Sequence, residues 1–293
     1  MIRHVNDTGQ DVCRPQFRLS AIMSVYAAEN TVKEAIKSVY PWVDDLTIAW
    51  GRDECFPWKP DGTLDLLRAL PDPEHKTHLI ELPVWPGSRQ ASRNAMRRAC
   101  CARLVATHLL ILDADEIWDG LGAYRAALET GAVAGGTPLT TTFWHDSGHW
   151  IHGGSFKRWG FRPHVASKGS ISPLSRLFPW QQGYRWSGLH VMPRTAQGAE
   201  VWPTAWNRNR DAAAYVLGNV CTIYHLGHAL PTEKMAEKAR FYEQFDGARG
   251  RTRWAEWDGR CGDTGDGVVE PVSWELPPLV QRAFQKIQAA HSA

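Results

Sequence analysis

Short apolar runs and amphipathic stretches alternate along the first part of the chain. Phe17–Val25, Asp45–Trp50 and Leu79–Val84 are rich in strand formers, and Leu109–Leu112 is wholly apolar. A run with no polar alternation suits a strand covered on both faces. Between the first two runs, Val32, Ala35, Ile36 and Val39 fall at i, i+3, i+4 and i+7, one apolar helical stripe that Pro41 ends. Leu64–Leu70 reads as a second helix. A third, from about Ser88 to Ala106, carries Ala91, Ala95, Ala99 and Ala102 along one face, small enough for close packing on a sheet. Strands alternating with helices predict an α/β fold with a mostly parallel, Rossmann-like sheet. No G-x-G-x-x-G is present, which disfavours a dinucleotide dehydrogenase.

Beyond Trp118 the pattern changes. Residues 119–230 are rich in Gly, Pro, Trp, His and Arg, with short strand-like runs at Leu139–Trp144, Leu174–Phe178 and Val220–Tyr224. Helical periodicity returns in Thr232–Phe245, and again in Leu276, Leu279, Val280, Ala283 and Ile287. Four segments follow: a polar tail over 1–16, a nucleotide-binding half over 17–118, a second half over 119–230, and a helical segment over 231–293.

Composition narrows the chemistry only a little. A net charge of +2 over 293 residues gives no strong electrostatic case for nucleic acid or membrane. Arg89, Arg93, Arg97, Arg98 and Arg103 do cluster in one helical stretch, where a solvated face is the ordinary expectation. The six cysteines form no C-x-x-C pair, and Cys100 and Cys101 are adjacent, so reduced thiols are expected. The polar N-terminus lacks an apolar signal core and no window is long enough to span a membrane, so a cytoplasmic location is expected. Fifteen tryptophans, most of them after Trp118, could serve a core or stack on sugars and bases.

The sharpest feature is Asp113-Ala114-Asp115-Glu116, directly after the apolar run Leu109–Leu112. Ligands of open α/β sheets bind at the carboxyl ends of strands. If the chain leaves the strand extended, Asp113 and Asp115 face the same way, offering two oxygen ligands to a hard cation such as Mg2+ or Mn2+. A solvated turn is the alternative for an isolated D-x-D.

Taken in order, Glu29-Asn30, Asp53, Arg93-Asn94 and Asp113-Ala114-Asp115 resemble a family 2 glycosyltransferase of GT-A fold. Ser175-Arg176-Leu177-Phe178, Tyr184 to His190, and Ile223-Tyr224-His225-Leu226-Gly227-His228 are similar to blocks of a subgroup that includes lipopolysaccharide-core and peptide glycosyltransferases. Two departures stand out: a loop separates Asp53 from Asp61-Gly62-Thr63, and Val191 replaces the subgroup's Glu.

The resemblance implies a metal-dependent, inverting transfer from a nucleotide-sugar donor, foremost a UDP-sugar, to a hydroxyl acceptor. It assigns Asp113 to the ribose and metal shell, Asp115 and His225 to Mn2+ or Mg2+, and Glu29 and Asp53 to nucleobase and ribose. Arg93 would meet a phosphate or brace the D-x-D turn. For the general base, His190 is the positional candidate and Asp146 the second. The acceptor stays open between a glycan and a hydroxymethylated DNA base. A non-catalytic carbohydrate-binding protein on the same frame is the remaining alternative.

Overall fold

The computed structural model describes residues 2–5, 11–14, 16–52, 61–82, 84, 89–130, 139–143, 149–153, 177–180, 197, 221–227, 229, 237, 240, 267–271 and 275–292. The expected helix over Thr232–Phe245 lies almost wholly outside these residues.

The central sheet holds β3 (Leu19–Val25), β4 (Asp45–Trp50), β5 (Thr77–Glu81), β6 (His108–Leu112) and β10 (Leu177–Pro179), in the order β10-β6-β3-β4-β5. The β6-β3-β4-β5 pairings are parallel, and β10 joins the edge antiparallel. Helices α1 (Val32–Val39), α2 (Thr63–Arg68) and α3 (Arg89–Cys101) connect the strands. This is the α/β, mostly parallel, Rossmann-like arrangement that the alternation predicts.

Strand alternation divides the core cleanly. Leu19, Ala21, Met23, Val25, Leu46, Ile48, Leu110 and Leu112 face one side with Val32, Ile36 and Val39 of α1. Ile22, Ala49, Leu109 and Ile111 face the other, against Met96 and Cys100 of α3. Both faces are covered, so the strands carry apolar residues at odd and even positions alike. Cys100 lies across two strands, its Sγ–H 3.8 Å from the Met23 carbonyl and 3.6 Å from that of Thr47. Burial pushes its pKa up to about 12. In the arginine stretch Arg98 and Arg103 are exposed as expected, whereas Arg97 is buried, as is Asn94.

A second sheet is built from β7 (Glu116–Asp119), β8 (Leu139–Phe143), β9 (His149–Gly153), β11 (Thr222–His225) and β12 (Gly267–Pro271), ordered β12-β9-β8-β11-β7. Trp118 N donates to Ser38 Oγ at 3.0 Å, tying β7 to α1. Helix α4 (Leu121–Glu129) follows and buries Leu121, Tyr124 and Leu128. The C-terminal helix α5 (Pro278–Ser292) packs Val280, Ala283, Phe284 and Ile287 on Ile117, Tyr224, Leu226 and Ala229. Among the described residues, no helix is long and apolar enough to cross a membrane.

Several boundaries differ from the pattern-based expectation. β3 starts at Leu19, not Phe17, and α3 ends at Cys101 rather than Ala106, where Arg103 N and Leu104 N turn to i→i−3 bonds with Cys100 O and Cys101 O. β5 is displaced to Thr77–Glu81, since pairing with β4 runs only from Leu46↔Thr77 to Trp50↔Glu81. The polar tail contains an antiparallel pair, β1 (Ile2–Val5) with β2 (Asp11–Arg14).

Candidate active site

The carboxyl ends of β3, β4 and β6 carry the candidate residues on the loops that follow. Past β3, Ala28 and Glu29 hold the turn before α2. Gly62 N donates to Glu29 Oε2 at 2.6 Å, Glu29 N to Asp61 Oδ2 at 3.1 Å, and Ala28 N to Thr63 Oγ1 at 2.7 Å. Asp61 also accepts from Thr63 N at 2.9 Å and from the Thr63 hydroxyl. Glu29 therefore spends one carboxylate oxygen on shaping Asp61-Gly62-Thr63. An open cavity of about 480 Å³ lies beside it, lined by Glu29, Asn30, Gly62, Asp65, Leu66 and Lys286.

Spacing alone did not single out two residues here. Asp61, which a loop separates from Asp53, is drawn back against Glu29. Tyr26, just past β3, stands with its ring centroid 6.0 Å from that of Trp50, the last residue of β4. Partial burial raises the Tyr26 pKa and Asp61 adds to the rise, while Arg52 opposes it, so all three groups share one electrostatic neighbourhood. An aromatic residue directly after β3 is the signal the sequence offers.

After β6 the chain does not stay extended. Glu116 N donates to Asp113 O at 3.1 Å, closing a tight turn, and Glu116 itself is buried. The premise that Asp113 and Asp115 emerge side by side from an extended strand is thereby corrected. Asp113 Oδ1 lies 4.0 Å from Arg93 Nη2 on α3. Asp115 instead meets β11: its Oδ2 is 3.7 Å from His225 Nε2, and its carbonyl accepts from Leu226 N at 2.7 Å.

Gly227 completes this corner. A Cβ there would stand 2.9 Å from both Cε1 and Nε2 of His225 and closer still to Asp115 Oδ2. Only a residue without a side chain leaves that space open. The carboxylate oxygen suits Mn2+ or Mg2+, which take few protein ligands and complete their shells with water and substrate phosphates, and the imidazole nitrogen favours Mn2+ of the two. Among the described residues no group of three His, Cys, Asp or Glu side chains is already gathered to hold a metal. Asp53, Asp146 and His190 lie outside the described residues.

No protein-family profile and no curated protein sequence matches the chain. Among solved structures, it is similar to glucosyl-3-phosphoglycerate synthase from Mycobacterium tuberculosis, crystallised with Mn2+, UDP and phosphoglyceric acid. Identity is 17% over 45% of this chain and 44% of that one, with a TM-score of 0.28. It is also similar to S. aureus TarS, at 12% identity over 83% of this chain and 47% of that one, TM-score 0.36. The chain thus spans less than half the length of either protein.

Proposed function

We propose that this protein is a metal-dependent glycosyltransferase that moves a sugar from a nucleotide-sugar donor, foremost a UDP-sugar, to a hydroxyl acceptor with inversion. The observation that carries the reading is the convergence of Asp115 and His225 under Gly227, at the edge where an α/β sheet binds its ligands.

In this reading Asp115 and His225 hold Mn2+ or Mg2+, with Asp113 on its outer side toward the ribose. When bound, the cation supplies Lewis acidity toward the departing diphosphate. Arg93, already drawn to Asp113, offers its guanidinium to a phosphate oxygen through charge-assisted bonds. Asp61 and Tyr26 contact ribose and base, and Glu29 positions Asp61 rather than reading the base unaided. Asp53 stays an alternative for the base contact. His190 is proposed as the general base that takes the acceptor proton, with Asp146 as the alternative. The acceptor belongs to the 119–230 half, and a family 2 assignment rests on the motif order alone.

The test is a panel of UDP-, GDP- and TDP-sugars with Mn2+, read by donor binding and by slow donor hydrolysis. At least one donor should bind and be hydrolysed in a Mn2+-dependent way. Neither event across the whole panel would overturn the reading.

A further inference from the structure

Leu226 stands between His225 and Gly227 and performs two tasks at once. Its side chain is 1% exposed and sits in the cluster that α5 makes with β7 and β11, among Ile117, Tyr224, Val280, Phe284 and Ile287. Its N–H donates to Asp115 O at 2.7 Å. Through the backbone, Leu226 is thus joined directly to both proposed metal ligands. Through its side chain, it is joined to the C-terminal helix.

The strand register carries the same link. His225 pairs with Glu116 and Tyr224 with Ile117, so the two strand ends bearing the ligands rest on α5 through adjacent apolar residues. The helix is anchored a second time by Lys286, whose Nζ is 2.7 Å from the buried Glu34 of α1. Close-packed interiors transmit displacement because they have little room to absorb it. A shift of Leu226 in its socket would therefore reach the backbone that carries Asp115 and His225.

We propose that Leu226, held by the C-terminal helix, is the positioning residue that sets Asp115 and His225 at the separation a divalent cation requires. The inference rests on the metal reading given above. It extends that reading to a segment of the chain, residues 278–292, that contributes no ligand.

Mn2+ binding to the full-length protein, followed by loss of the free-ion electron paramagnetic resonance signal, tests it without reference to turnover. Leu226→Ala should raise the Mn2+ Kd roughly tenfold or more, and Leu226→Met, which conserves volume, should stay within about twofold of the parent. Leu128→Ala is the control: it deletes another buried leucine, on α4 in a different core cluster, and should lower Tm comparably while leaving Mn2+ affinity within about twofold. If Leu226→Ala does not fold, Leu226→Val should show the same ranking at smaller amplitude.

Equal effects of the two alanine variants, or none at Leu226, would overturn the positioning role while leaving the metal site standing. Asp115→Asn separates the two claims. If the parent binds no Mn2+ with or without UDP, or if Asp115→Asn binds it like the parent, the metal reading fails and takes this inference with it.

Discussion

Glu34 and Lys286 lie 252 positions apart and meet in an ion pair of 2.7 Å. Glu34 is 2% exposed and Lys286 38%, so the carboxylate depends on this ammonium while the ammonium still reaches water. Breaking a buried pair from one side leaves an uncompensated charge, a loss of about 3 kcal/mol. We expect Lys286→Met to lower stability by roughly that amount, less what solvent at the lysine restores. The double variant Glu34→Gln/Lys286→Met should recover most of it, because no buried charge is left unpaired. Urea unfolding of the three proteins measures both steps, and a double variant no better than the single one would contradict the account.

Glu29 and Gly62 make a second pair that substitution can separate. A Cβ at residue 62 would lie 2.7 Å from Glu29 Oε2, whereas the backbone there is ordinary, with φ at −70°. Gly62→Ala should therefore act through the displaced carboxylate and not through backbone strain. About 1–2 kcal/mol of stability should go with the lost hydrogen bond, and UDP affinity should fall with the displaced Asp61. Glu29→Gln keeps an acceptor for Gly62 N and should be milder on both counts. Calorimetric UDP titration of the two variants gives the ranking.

Gly227→Ala addresses the proposed metal corner from the other side. The added methyl would press on the His225 ring and the Asp115 carboxylate. Mn2+ affinity should drop at least tenfold, with a smaller change in Tm than a core deletion causes. Parent-like Mn2+ affinity in this variant would show that the glycine is not there for the cation.

The buried thiols give a prediction independent of function. Burial raises the Cys100 pKa to about 12 and holds the Cys221 thiol well above its ordinary value. At pH 8 both are protonated, and the thiolate is the reacting species. Iodoacetamide should leave the Cys100 and Cys221 side chains unlabelled in the native protein and label both in denaturant, with fragment ions separating Cys100 from the adjacent Cys101. Mass spectrometry of the digested peptides reads the difference.

Buried parallel strands advertise themselves as apolar runs, which is why β3, β4 and β6 were legible within two residues at either end. The stripe of Val32, Ala35, Ile36 and Val39 predicted α1 for the same physical reason, a single covered face. Helix α4 was not anticipated, because Leu121, Tyr124 and Leu128 make only a short stripe next to a glycine-rich segment. The hairpin of β1 with β2 was hidden in a segment with too little apolar character to signal a strand pair. Asp113 and Asp115 were visible as acids at a strand end, but their directions were not: a tight turn sends one toward Arg93 and the other toward His225. The Asp115–His225 contact depends on β7 pairing with β11 across about a hundred residues, and no local spacing encodes it. Asp61 was obscured by the intervening loop, although its Asp-Gly-Thr turn chemistry stood in plain view.

The most direct measurement of the central claim is donor turnover by Asp115→Asn at limiting Mn2+. The exchange preserves size and shape and removes the charge a hard cation needs. Asp115 is one-third exposed, so the fold and Tm should change little. The account predicts that turnover of the donor identified in the panel falls to background and that added Mn2+ does not restore it. Parent-like turnover at the same limiting Mn2+ would contradict it, leaving Asp113 and Asp115 as a solvated turn.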